Sequence, residues 1–163
     1  MDLRSNQNKI SIKYLLLFIG IALLAGIIGA FLGGDMKDFE TVAKPSFSPP
    51  GFLFPIVWTI LYILMGISSY LVCVNKTDEK FVDKACKLYY LQLIVNVLWT
   101  PIFFRFKMYF LAFIWVLLLI FLVIYMIIKF YKIKPVAGLL QIPYLLWLIF
   151  ASILNFSIFM MNK

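Results

Sequence analysis

The stretch IWVLLLIFLVIYMIIK, Ile114 to Lys129, runs through fifteen apolar residues before it reaches its only charge. Apolar and polar side chains do not alternate here, whereas a membrane-barrel strand shows alternation over about 10 residues. The charge-free window that holds the stretch is Met108–Ile128, and a helix that crosses a bilayer needs about 20 apolar residues. We therefore predict a transmembrane helix at this point.

Four more windows contain no Asp, Glu, Lys or Arg: Tyr14–Gly34, Pro45–Asn75, Leu88–Phe104 and Pro135–Asn162. The 163 residues are 64% hydrophobic and 13% charged, whereas soluble domains are about 45–50% apolar and about 25% charged. The sequence predicts an all-α polytopic membrane protein, a five-transmembrane-helix bundle in a single domain, 1–163, with helices at about 14–34, 51–74, 82–104, 108–130 and 135–160. A cleaved signal peptide is the alternative for the first window, but its length and the lack of a small-residue cleavage site favour a retained helix.

The distribution of Lys and Arg predicts the orientation. The N-terminus and the second and fourth loops carry ten of these residues, and the opposite ends carry five. By the positive-inside rule, the N-terminus is cytoplasmic, and the first loop and C-terminus lie outside the cell membrane. The formal charge of +8 then reflects topology and attraction to lipid headgroups. Nucleic acid is not expected as a partner, because the basic residues sit in short loops.

The residue types that usually bind metals are scarce. The sequence has no histidine, and its two cysteines are Cys73 and Cys86. Both fall at the predicted cytoplasmic end, where thiols stay reduced, so we expect small buried apolar side chains rather than a disulfide. No metal site is predicted. No carboxylate, Lys or Arg lies deep in a predicted span, which argues against ion-coupled transport.

The first loop contains KPSFSPPG, Lys44 to Gly51. Pro49 and Pro50 come just before the second helix, where proline favours helix initiation. Ser48 is placed to cap that helix. The loop is therefore expected to be stiff enough to cover a binding site.

Small residues form stripes along the first helix at four-residue spacing, a pattern that lets helix backbones approach closely in lipid. The favoured interpretation is packing inside the bundle, and the alternative is a dimer interface. The two stripes are Ala22, Gly26, Ala30, Gly34 and Ala25, Gly29, Gly33.

Polar and aromatic residues share helix faces in three spans, and amides at membrane depth need partners inside the bundle. Two interpretations stay open: hydrogen bonds between helices, or the lining of a pocket. A pocket is favoured by Ala151, a small residue between Trp147 and Asn155. The faces are Gln92, Asn96, Thr100; Tyr144, Trp147, Ala151, Asn155; and Trp58, Tyr62, Met65, Ser69.

Three blocks resemble the TspO/MBR family, also known as the translocator protein or peripheral-type benzodiazepine receptor family. They are KPSFSPPGFLFPIVWTILYILMGISSYLV from Lys44, NVLWTPIFF from Asn96 and PYLLWLIFASILNFSIFMMN from Pro143. Phe47 and Phe52 stand where the family has tryptophan, and Asp38-Phe39 stands where it has Trp-Tyr, so indole N–H donors are lost at the loop.

The resemblance implies a membrane protein that binds a porphyrin such as protoporphyrin IX as ligand, without a cofactor, and acts as sensor, carrier or regulator. The ligand site would lie between helices under the first loop, with Lys37 and Lys44 near the ligand carboxylates. It would be lined by Pro49, Phe52, Trp58, Tyr62, Asn96, Trp99, Trp147, Ala151, Leu154 and Asn155.

Two alternatives stay open. The first is a light-dependent porphyrin-degrading enzyme that uses Trp58 and Trp147, and the second is a passive porphyrin transporter. The resemblance also implies a homodimer in the membrane, with a tetrapyrrole or another flat apolar small molecule and membrane lipid as partners.

Overall fold

The computed structural model describes residues 11–34, 41–75 and 77–163. Within these ranges the chain is helical and contains no strand, so the predicted all-α membrane fold is confirmed. The helices are α1 (Ile12–Gly33), α2 (Leu53–Cys73), α3 (Glu79–Thr100), α4 (Tyr109–Ile133), the short α5 (Pro135–Leu139) and α6 (Ile142–Met161).

Four segments of the described chain are long and apolar enough to cross a membrane: α1, α2, α4 and the α5–α6 unit. α3 differs because its first turns are charged, with Asp83 and Lys87 forming an exposed ion pair at 2.8 Å. Its 22 residues extend about 33 Å at 1.5 Å per residue, close to the ~30 Å of a bilayer's hydrocarbon core. A π-helical turn, Pro101–Arg105, then lengthens its apolar end.

The five long helices form a ring in the order α2, α1, α3, α4, α6. α1 packs along α2 and against α3, α3 packs on α4, and α4 packs on α6. The ring closes between α6 and α2, where the two helices meet mainly through side chains. We call this boundary the α2–α6 seam.

The small residues of α1 allow the close packing at its two neighbours. A Cβ at Gly33 would lie 2.8 Å from the Thr100 side chain, and one at Gly29 would lie 3.2 Å from the Thr100 hydroxyl. On α2, a Cβ at Gly66 would lie 2.5 Å from the Ile19 Cα. Gly29 and Gly33 therefore pack inside the chain, as the favoured interpretation of their stripe predicts, whereas Ala30 and Gly34 of the other stripe are exposed.

The fifth predicted helix is interrupted. α5 ends at Leu139 and α6 begins at Ile142, because Pro143 lacks an N–H and its ring clashes with the carbonyl four residues earlier. That carbonyl belongs to Leu139. The short α5 is fixed to α2 by a hydrogen bond that the Ser68 hydroxyl donates to the Ala137 carbonyl at 2.8 Å.

The predicted helix cap at Ser48 is wrong. α2 begins at Leu53, five residues further on, beyond the reach of the Ser48 side chain. The Ser48 hydroxyl is buried without a hydrogen-bond partner among the described residues. Turn bonds satisfy the first amides of α2 instead: Leu53 donates to the Pro50 carbonyl at 3.0 Å and Phe54 to the Gly51 carbonyl at 3.3 Å.

The prediction of two reduced cysteines is also wrong. Cys73 and Cys86 form a disulfide, with their Cα atoms 5.9 Å apart. Cys73 is the last residue of α2 and Cys86 lies near the start of α3, so the bond joins the helices next to their connecting loop. Cell compartment was the only ground for expecting free thiols, and the cytoplasmic position of this end stays a prediction.

Candidate functional site

A chain of hydrogen bonds crosses the interior where α2, α3 and α6 face one another. The Tyr62 hydroxyl donates to Asn96 Oδ1 at 2.7 Å, and Asn96 Nδ2 donates to the Tyr144 hydroxyl at 2.8 Å. The Tyr144 hydroxyl donates to Gln92 Oε1 at 3.1 Å, and Gln92 Nε2 lies 4.0 Å from the Met65 sulfur. All five side chains are buried. We call this chain the polar floor.

Aromatic rings form a wall next to the polar floor. The Trp58 ring lies 5.5 Å from the Tyr62 ring and 6.2 Å from the Tyr144 ring. The Trp147 ring meets Phe54 of α2 at 5.9 Å, edge to face, and Phe150 of its own helix at 5.4 Å. Trp58 and Trp147 are each only partly buried, so part of each ring is available to a ligand.

A second apolar cluster lies nearer the first loop. Trp99 stacks on Phe103 with ring centroids 5.1 Å apart, and its indole N–H donates to Asn155 Oδ1 at 3.3 Å. Leu154 is buried in this cluster, and Phe54 and Phe150 pack against it. Because Phe54 and Phe150 also contact Trp147, the cluster is continuous with the aromatic wall.

The first loop is fastened over this cluster. The Asn162 side chain accepts a hydrogen bond from the Ala43 amide at 3.2 Å and donates one to the Ala43 carbonyl at 2.9 Å. The Phe47 ring meets Phe150 at 6.4 Å. These contacts hold the loop across the end of α6, consistent with a stiff cover. Lys37, predicted near the ligand carboxylates, lies outside the described residues.

The predicted site residues divide into three groups. Trp58, Trp99 and Trp147 are partly buried, as are Pro49 and Ala151, and these residues can contact a ligand. Tyr62, Asn96, Leu154 and Asn155 are buried, and the three polar ones already have protein partners. Phe52 is 69% exposed at the loop end.

The two interpretations of the polar faces therefore apply to different residues. Both amide atoms of Asn96 are engaged within the polar floor. Asn155 accepts from Trp99 and donates to the Ala151 carbonyl at 2.7 Å. The amides hold helices together, while the rings beside them leave surface for a ligand.

Sequence reasoning missed three contributors. Phe54 lies one turn before Trp58, and Phe150 lies three residues after Trp147, so helical spacing could have found both. Asn162 gave no signal, because its partner at Ala43 is a backbone group far away in the sequence.

A family model, described as the TspO/MBR family, matches residues 18–161 of this chain. The chain belongs to the TspO/MBR family. This TspO/MBR protein is 34% identical over 158 residues to the tryptophan-rich protein TspO of Chlorobaculum tepidum, covering 96% of this chain and 99% of the relative. It is 34% identical over 134 residues to the tryptophan-rich sensory protein of Cereibacter sphaeroides, covering 82% of each chain.

The human translocator protein is likewise 34% identical to this TspO/MBR protein, over 148 residues that cover 85% of this chain and 86% of the human one. The match to the family model includes α2, α3 and α6, which carry the polar floor and the aromatic wall. Residues 11–34, 41–75 and 77–163 hold no cluster of three His, Cys, Asp or Glu side chains that could bind a metal ion. The chemistry of the site is that of aromatic faces beside satisfied amides.

Proposed function

We propose that this membrane protein binds a porphyrin-type tetrapyrrole between α2, α3 and α6, beneath the first loop, and acts as its sensor, carrier or regulator. The ligand is flat and apolar, with carboxylates along one edge. Aromatic side chains stack well on such a surface, and ligand sites are mostly apolar with a few fixed polar groups.

The observation that carries the proposal is the placement of the tryptophans. Of the four in the chain, Trp58, Trp99 and Trp147 lie on the three helices that enclose the polar floor. The fourth, Trp115, lies on α4 and donates its indole N–H to the Val95 carbonyl at 2.8 Å. Trp58 and Trp147 border the polar floor, and Trp99 lies in the adjoining cluster under the first loop, so the three indoles line the path between the loop and the floor.

The polar floor limits how the ligand would be held. Because Asn96 and Tyr144 already form a hydrogen bond with each other, hydrogen bonds to these groups would add little to the binding free energy of a ligand. We expect the macrocycle to lie against Trp58 and Trp147, with its carboxylates toward the loop end. Lys44 and Lys163 lie at that end, and the Lys163 amine sits 5.3 Å from the Phe159 ring.

The names of the relatives are compatible with this role. One is called a tryptophan-rich sensory protein and another a translocator protein. Sensing and translocation both require reversible binding of a ligand, which the partly buried rings allow.

Ala151→Leu tests the binding site. Ala151 lies one turn from Trp147, so a leucine there should overpack the gap at a cost of about 1–3 kcal/mol, which corresponds to about 5- to 150-fold weaker porphyrin binding. Affinity is measured by absorbance titration, and the melting temperature is measured without ligand. Ala30→Leu, on the exposed side of α1, is the matched control. Unchanged affinity with a large drop in melting temperature would show that the site is only a packing interface.

Light-dependent degradation of the bound porphyrin is a second candidate, favoured by the contact of Trp58 with two tyrosine rings. An indole can donate an electron to the photoexcited macrocycle, which passes it to dioxygen to give superoxide. The oxidised indole, which can share its radical with a neighbouring tyrosine, then takes an electron from the macrocycle, and superoxide adds to the resulting porphyrin radical cation, so that dioxygen is the net oxidant. Illuminated, aerated samples should bleach faster with the wild-type protein than with Trp58→Phe. Equal bleaching would remove this candidate and leave binding intact.

We also propose that the C-terminus lies outside the cell and that the protein forms a homodimer. A cysteine added after Lys163, in a chain whose own two cysteines are replaced, should react with an impermeant label in intact cells. Labelling only after permeabilisation would show that the C-terminus is cytoplasmic and would refute the predicted orientation. Crosslinking in mild detergent should trap a homodimer, and monomer in every detergent tried would refute it.

A further inference from the structure

The α2–α6 seam holds a groove of about 420 Å³ lined only by apolar residues. Its outer edges are Ile60 of α2 and Leu146 of α6, which are 53% and 61% exposed. Leu61, Trp147 and Phe150 line it further in. The groove therefore opens from the outside of the bundle, at a depth where the surroundings are lipid.

The groove leads toward the proposed site without a backbone barrier. The other neighbouring pairs in the ring pack helix against helix, whereas α2 and α6 meet mainly through side chains. Trp147 lines the groove and contacts Phe54. Trp58 faces Tyr144 on the inner side of the same seam. A ligand crossing here would therefore meet mainly side chains rather than closely packed backbone.

The loop end is closed more firmly. Two hydrogen bonds join Asn162 to the Ala43 backbone, and Phe47 lies over Phe150. A ligand arriving from water would have to break these contacts. A flat apolar ligand is also far more concentrated in the bilayer than in water, because burial of apolar surface favours the lipid.

We propose that the groove in the α2–α6 seam is the access site through which a flat aromatic ligand enters from the bilayer and passes Trp147 to the interior. This rests on the proposed function. The occupant is an aromatic lipophile rather than an acyl chain, because Trp147 and Phe150 line the inner side of the groove and continue into the wall of rings. Stacking favours a flat ring system along this path.

Ile60→Trp tests the access site by filling the outer edge of the groove. The matched control is Ile94→Trp on α3, across the ring from the seam, where Ile94 is 58% exposed. Each variant is placed in nanodiscs and mixed with protoporphyrin IX, and the binding and release of the porphyrin are followed by stopped-flow absorbance. We expect Ile60→Trp to slow both rates about tenfold, with the dissociation constant within twofold of wild type, and Ile94→Trp to change neither.

Each other outcome refutes a specific statement. Intact binding with unchanged rates in Ile60→Trp overturns the access site alone. A higher dissociation constant with an unchanged association rate means that the groove is where the ligand rests, and this also overturns it. Asn162→Ala should leave association unchanged, and faster association would assign access to the loop end. If the wild type binds no porphyrin, the proposed function itself fails. Leu146→Trp, at the opposite edge, repeats the test if Ile60→Trp does not fold.

Discussion

Breaking the polar floor at Asn96 should cost stability in a way that a double-mutant cycle can assign. Asn96→Ala removes the acceptor for Tyr62 at 2.7 Å and the donor to Tyr144 at 2.8 Å. Interhelical hydrogen bonds in membranes contribute about 0.6 kcal/mol on average and up to about 1.7 kcal/mol. Losing two should lower the free energy of unfolding by about 1–3 kcal/mol.

Tyr62→Phe removes one of these bonds from the other side. The coupling energy between Asn96→Ala and Tyr62→Phe should therefore be about 0.6–1.7 kcal/mol, measured by equilibrium unfolding in mixed micelles. Tyr70→Phe is the matched control, because the Tyr70 hydroxyl bonds to the Ser11 amide at 2.9 Å instead, and its coupling to Asn96→Ala should be near zero. A Tyr62–Asn96 coupling near zero would refute the polar floor.

Two further stability predictions concern the helix contacts. Gly66→Ala should destabilise the bundle by about 1–3 kcal/mol through overpacking, because the new Cβ would meet the Ile19 backbone. Gly20→Ala is the control, since a Cβ there has nothing within 4 Å, and it should be neutral or stabilising in the same unfolding assay. Equal effects of the two substitutions would contradict the close α1–α2 contact. Replacing Cys73 and Cys86 together by alanine removes the disulfide and should lower the unfolding free energy by about 2–4 kcal/mol. A wild-type unfolding free energy that does not change with reductant would contradict the disulfide.

The apolar windows predicted the long helices because lipid offers no hydrogen-bond partners to the backbone, so that each backbone amide must bond within its own helix. The same reasoning could not place the interruption before α6. Pro143 lies near the start of a predicted span, but the absence of charges from a window does not show where a proline interrupts the helix. Residue type alone favours Ser48 as a cap, whereas a turn from Pro50 to Leu53 precedes the helix, which begins at Leu53.

The site was predictable to the extent that it lies on helix faces. Spacing brought Gln92 and Asn96 onto one face, and the structure pairs both with Tyr144. Spacing could not show that the amides satisfy one another, because that depends on how three helices are arranged in the ring. The disulfide and the contact between Asn162 and the loop likewise depend on tertiary proximity.

Titration of protoporphyrin IX against the wild type, Trp147→Phe and Trp115→Phe tests the central proposal most directly. Aromatic pairs contribute about 0.5–1.5 kcal/mol beyond burial of area, so Trp147→Phe should weaken binding about 2- to 12-fold. Trp115→Phe, on α4 away from the seam, should bind like the wild type. Equal affinities in all three proteins, or no binding by the wild type, would contradict a porphyrin site at the aromatic wall.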